Sequence, residues 1–214
     1  MIQRRQILVA SVGAALVSGL QTAHAQSGKT VRIVVPFAAG GVQDILARSL
    51  SAELGIALGQ TVIVVNKAGA GGTIGTAAVA RGDADGTNMV MAAASHNIVG
   101  TLYNKLSYDP QKDFTPLAHI GTASYVLMIH PDVPAKNAAE FIRYAKANPG
   151  KLNYATAGVG SATHLSMAYF NSMAGIDIVH VPLKATGEAI NEVISGRAHA
   201  VIAANIGALA FAKD

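Results

Sequence analysis

Cysteine is absent, which excludes disulfides and thiol chemistry and leaves the redox compartment open. Aromatic residues amount to 5% and charged residues to 13%, and no lysine–arginine cluster follows the Arg4-Arg5 pair. A nucleic-acid surface needs basic side chains gathered on one face with aromatics among them, so it has no support here. The motifs of several reaction classes are also missing. There is no HExxH, no serine in a GxSxG turn, and no GKS or GKT after a glycine loop. The seven histidines, at 24, 96, 119, 130, 164, 180 and 199, form no i,i+4 pair of metal-ligand type. None of the twelve carboxylates is paired in an apolar setting that would suit acid–base catalysis. The expectation is a protein without enzymatic activity, metal or cofactor. What the chain does have is apolar bulk. A hydrophobic fraction of 51% implies a large core and excludes a disordered chain. Its 214 residues suit one large domain or two small ones.

Residues 1–25 read as an address. Arg4 and Arg5 begin the segment, an apolar stretch over 7–20 follows, and Ala23-His24-Ala25 closes it as a secretory cleavage site. Ser11, Gly13, Ser18 and Gly19 interrupt that stretch, which falls short of the ~20 residues a membrane span needs. Export is expected, with a mature chain from about Gln26. The Arg-Arg pair also permits a twin-arginine route. Losing both arginines lowers the formal charge from +4 to +2, so the basic pI overstates the mature surface.

The mature chain is organised around residues 31–46, VRIVVPFAAGGVQDIL. Val31, Ile33, Val34 and Val35 form a β-type run that stops at Pro36 and passes through Gly40-Gly41. Leu46, Leu50 and Leu54 then recur every four residues and predict one face of a helix. A strand that ends in a glycine turn and feeds a helix leaves several N–H groups unpaired. The helix dipole adds partial positive charge there, which makes an anion site. Residues 152–165 repeat the arrangement: a strand runs into Gly158 and Gly160, and a helix follows with Ser161 as its N-cap. Two such loops can hold both ends of a ligand bearing two carboxylates.

Between these loops, a strand at 61–65 leads to glycines at 69, 71, 72 and 75, a helix at 76–80 and a strand at 88–94. That order is the grammar of a parallel, doubly wound sheet. Residues 95–116 read as irregular, and 125–130 as a strand that crosses over. A helix at 134–147 is opened by Pro134 and stopped by Asn148-Pro149-Gly150. A strand at 176–181, a helix at 187–195 and a strand at 198–203 complete a second α/β set that starts near residue 122.

Five strings carry a resemblance to a known family. They are residues 34–41 (VVPFAAGG) with Asp44, 66–75, 106–114 (LSYDPQKDF), 147–155 (ANPGKLNYA) with 158–164, and 177–182 (DIVHVP). In this order, over nearly all of the mature chain, they resemble the receptors of tripartite tricarboxylate transporters, the Bug-type extracytoplasmic solute receptors. The resemblance implies an α/β fold of two lobes, of the type II periplasmic-binding-protein kind. The lobes are 26–121 and 122–214, with a hinge near 120–124. Family members return to complete the first lobe with about a hundred further residues, so that lobe is expected to be incomplete here. The implied function is periplasmic capture of a small carboxylate by a monomer, which passes it to membrane permease subunits. A di- or tricarboxylate, an acidic amino acid and an aromatic acid all stay open as ligands.

By the same resemblance, Ala38, Gly40, Gly41 and Asp44 match the family's first ligand loop, and Gly71 and Gly72 a second backbone contact. Gly158, Ser161, Thr163 and His164 match the loop of the other lobe. Two departures bear on ligand identity: Val42-Gln43 stand where the family has small residues, and Leu183-Lys184-Ala185 where it has Tyr-Lys-Gly. Each residue also has a plainer reading. Gly40-Gly41 is equally a tight turn, Asp44 a dipole partner or cap, Ser161 first of all an N-cap, and a lone His164 a packed side chain. The other functional readings are a truncated fragment that does not bind, a hydrolase built on Ser161 and His164, and an effector-sensing domain. The leader and the lack of a DNA-binding helix pair oppose the last.

Overall fold

A computed structural model describes residues 28–208, so the expected leader and its cleavage site lie outside the described residues. The first unit is built on β1 (Val31–Val35), β2 (Val62–Asn66) and β3 (Asn88–Val90). They form a parallel sheet in the order β2-β1-β3. Helix α1 (Val42–Leu58) connects β1 to β2, and α2 (Thr73–Ala80) connects β2 to β3. A short helix, α3 (Val99–Leu102), follows. Ile33, Val35 and Ala47 are the buried centre of this unit.

The third strand is shorter than residues 88–94 suggest. Its ladder partner β1 ends where Pro36 offers no N–H, and after Met91 donates to Val34 O the chain leaves the sheet. The face of α1 is also displaced. Leu50 is 36% exposed, whereas Asp44 and Ala47 are buried and Leu54 packs against the core. Four-residue steps rotate about 40° each on a 3.6-residue helix, so a row of leucines drifts off the buried face.

The second unit is a four-stranded mixed sheet in the order β4-β7-β5-β6. Its strands are β4 (Tyr125–Ile129), β5 (Asn153–Thr156), β6 (Val179–Pro182) and β7 (Ala200–Ala204). Only β4 runs antiparallel to its neighbour. Helices α4 (Ala138–Ala147), α5 (Ala162–Ala174) and α6 (Thr186–Ile194) cover it, and α7 (Asn205–Ala208) follows β7. Strand β7 shows why both faces are covered. Ala200 and Ile202 join Phe141, Ala145 and Met167 in one core, while Val201 and Ala203 join Ala189, Ile190 and Val193 in another.

The expected helix over 134–147 begins later, at Ala138, because Asn137 rather than Pro134 caps it. Asn137 Oδ1 accepts from Glu140 N–H at 2.9 Å, and the Glu140 carboxylate accepts from Lys136 N–H at 2.8 Å. The strand expected over 176–181 pairs only from Val179, whose N–H reaches Leu152 O, although Ile176 and Ile178 are buried.

Candidate ligand-binding site

An open cleft lies between the two units. From the first unit it is lined by Phe37, Val42, Gln43 and Ala93. From the second come Tyr125, Ala157, Ser161, Ala162, Thr163, Thr186 and Ala204. No charged side chain is among them. The first turns of α1 and α5 thus face one another across the space. Among the described residues, no acceptor lies within hydrogen-bond reach of the N–H groups of Gly41, Val42, Gln43, Ala162 and Thr163. Four of those five belong to lining residues, so the space is bounded on two sides by unpaired donors at positive helix ends.

Asp44 builds the first side. The residue is 3% exposed, and its carboxylate accepts from Gly40 N–H at 2.9 Å, Arg48 Nε at 3.0 Å and Asn66 Nδ2 at 2.9 Å. Arg48 beside it, then Gly40 N–H and Asn66, hold its pKa down to about 2 against the cost of burial. Asn66 also donates to Phe37 O, so the network fixes the turn on which Phe37 and Gly40 sit. Asp44 is therefore enclosed by its own partners, and Gly40 N–H is already spent on it.

Ser161 and Thr163 build the second side. Ser161 Oγ caps α5 by accepting from His164 N–H at 3.2 Å, and donates to Gly158 O at 2.7 Å. Thr163 Oγ1 lies 2.9 Å from Ser161 Oγ and accepts from Ala157 N–H at 2.9 Å. Both hydroxyls are buried and shape the loop. The loop's path passes through the left-handed region at Gly158 (φ 99°) and Gly160 (φ 81°), which favours glycine.

His164 turns away from the space. Its Nδ1 accepts from Gly160 N–H at 3.2 Å, and its ring packs on His180 at 4.4 Å. His180 is held in turn by Thr156 Oγ1 at 2.7 Å and by the Tyr154 ring. Burial lowers the pKa of His164. Burial and then the neighbouring His164 lower that of His180. Ser161 and His164 consequently make no nucleophile–base pair, because the imidazole nitrogen nearest the loop is engaged by a backbone N–H.

Of the expected site residues, Ser161 and Thr163 line the space directly, and Gly41 contributes an unpaired N–H at its edge. Ala38, Gly40 and Asp44 shape the first turn, and Gly158 and His164 shape the second. Gly71 and Gly72 border a smaller cleft within the first unit, between Pro36-Phe37 and His96. Sequence reasoning missed Tyr125, Thr186 and Ala204 as lining residues, and noted Val42 and Gln43 only as departures. Thr186 opens α6, so its place in a first helical turn was the available signal.

Two α/β units whose helix N-termini face a shared cleft are the architecture of periplasmic binding proteins. The solved periplasmic binding protein BugD superposes with a TM-score of 0.74 at 36% identity, over 82% of this chain and 58% of its own. The structure of MatC from Rhodopseudomonas palustris with bound malate superposes with a TM-score of 0.80 at 33% identity, over 86% and 63%. Protein BugT of Bordetella pertussis is 34% identical over 202 residues, 94% of this chain and 60% of its own length. The sequence pattern of the tripartite tricarboxylate transporter family receptor matches residues 46–214. The chain belongs to that family. It spans about 60% of the length of the curated relatives it matches.

Proposed function

We propose that the chain is the ligand-gripping part of a periplasmic receptor for small dicarboxylates that carry no amino group. The observation behind this reading is the cleft between the units, where two helix N-termini present unpaired N–H groups and no charged side chain intervenes. A carboxylate at each end of the ligand satisfies those donors, with Ala38, Gly40 and Gly41 shaping one grip and Gly158, Ser161 and Thr163 the other. An ammonium group has no counter-charge there, because Asp44 is closed within its own network. The free amide of Gln43 and the hydroxyl of Thr186 are neutral partners for a ligand hydroxyl. That MatC was solved with malate, a hydroxylated dicarboxylate, fits this preference.

The mechanism is conformational rather than catalytic. A ligand that touches both units favours their approach, so it shifts an open–closed equilibrium about the hinge near 120–124. The closed receptor, a monomer exported through its leader, then delivers the ligand to membrane permease subunits. Isothermal titration calorimetry with malate, adipate and aspartate tests the assignment. Malate or adipate is expected to bind at least about tenfold more tightly than aspartate, a difference of about 1.4 kcal/mol. Equal or tighter aspartate binding overturns the ligand class. No heat with any of the three favours the reading of a fragment that does not bind.

A further inference from the structure

A second meeting place of the two units lies beside the cleft. Tyr103 follows α3 in the first unit, yet its hydroxyl donates to Val159 O in the second at 2.9 Å. The same hydroxyl lies 3.3 Å from Ala70 O, on the glycine loop of its own unit. Around this bond the two glycine loops approach without side chains. A Cβ on Gly71 would collide with the Val159 carbonyl, and one on Gly160 would lie 3.0 Å from Leu102 and 3.1 Å from the Tyr103 ring. Val159 stands between Gly158 and Gly160, in the loop that Ser161 closes onto α5.

We propose that Tyr103 is a positioning residue: its bond to Val159, seated in a seam that Gly71 and Gly160 leave open, latches the second ligand loop when the units close. The latch rests on the receptor reading only for its effect on the ligand. Its partners are 56 residues apart and belong to different units, so the bond exists only while the units are together. It therefore favours the closed state whether or not a ligand is bound. A phenol keeps its proton at neutral pH, and burial raises the Tyr103 pKa further, so the donor is present.

The absence of cysteine permits a direct test on the full chain. Exposed Glu53 on α1 and Met173 on α5 are replaced as Glu53→Cys and Met173→Cys, spin-labelled, and the label separation measured without ligand. Tyr103→Phe keeps the ring and removes the donor. It is expected to lower the closed-to-open ratio roughly 2- to 12-fold, the range for one neutral hydrogen bond, and to lengthen the mean separation. Gly71→Ala forces the seam apart and is expected to act in the same direction. With malate as probe, Tyr103→Phe is expected to raise the dissociation rate by the same factor. Superimposable distance distributions for Tyr103→Phe and the parent overturn the latch. So does a lower melting temperature with unchanged distances, which makes Tyr103 a packing residue. A changed distribution without malate binding upholds the latch and counts against the proposed ligand instead.

Discussion

At the scale of single residues, the first side of the site is held by one carboxylate. Asp44 has its pKa lowered from 3.8 to about 2, with Arg48 the leading cause. The folded state therefore binds this proton less readily than the unfolded chain. Its stabilisation is complete above pH 4 and disappears as the pH falls towards 2, with an upper size of about 2 kcal/mol. Urea midpoints from pH 5 to 2 check this. Asp44→Asn is expected to flatten that stretch of the curve and to lower stability at pH 7 by about 1–3 kcal/mol, since Arg48 loses its counter-charge. His164 and His180 tilt stability the same way with pH, for a different reason. Burial holds the pKa of each below the ordinary value of 6.5, so the fold resists their protonation. They cost nothing above pH 6.5, and the penalty grows as the pH falls below it. His164→Gln, whose amide oxygen can still accept from Gly160 N–H, is expected to reduce the fall in melting temperature between pH 7 and pH 5.

At the scale of elements, the two helices that face the cleft are started differently. Helix α1 has glycine at its N-cap with no side-chain bond, whereas α5 is capped by Ser161. The bare start leaves its donors open to the cleft, and the capped start combines anion-facing donors with a fixed loop. Ser161→Ala removes the acceptor of His164 N–H and the donor to Gly158 O. It is expected to lower the urea-derived stability by about 1–2 kcal/mol, the usual cost of a lost cap. Ser161→Thr keeps the hydroxyl and is expected to recover most of that loss. Element boundaries show where sequence patterns stop being informative. The β-type run after Asn88 extends to Ala94, but a strand needs a partner, and Pro36 ends the partner first. Pro134 is a plausible helix start, but Asn137 and Glu140 three residues apart form the cap that is used.

At the scale of the whole molecule, the amino-acid sequence by itself determined the family, the repeated strand–glycine–helix unit and most secondary elements. These follow from local rules: β-branched runs, cap residues and glycines at left-handed positions act within a few neighbours. Ser161 was legible as a cap for the same reason, since cap and capped N–H lie within one turn of chain, whereas Thr163 came only with the family resemblance. Only the tertiary structure decided what the candidate residues do. Asp44 meets Asn66 across 22 positions and is thereby closed off from the cleft. His164 is turned onto His180 by a sheet that brings β5 and β6 together. Gln43 and Thr186 share the cleft, and Tyr103 reaches Val159, only because the loops and helix starts of two separately wound units meet. Local propensity carries no information about which distant groups will meet, since that is fixed by how the covered sheet faces pack.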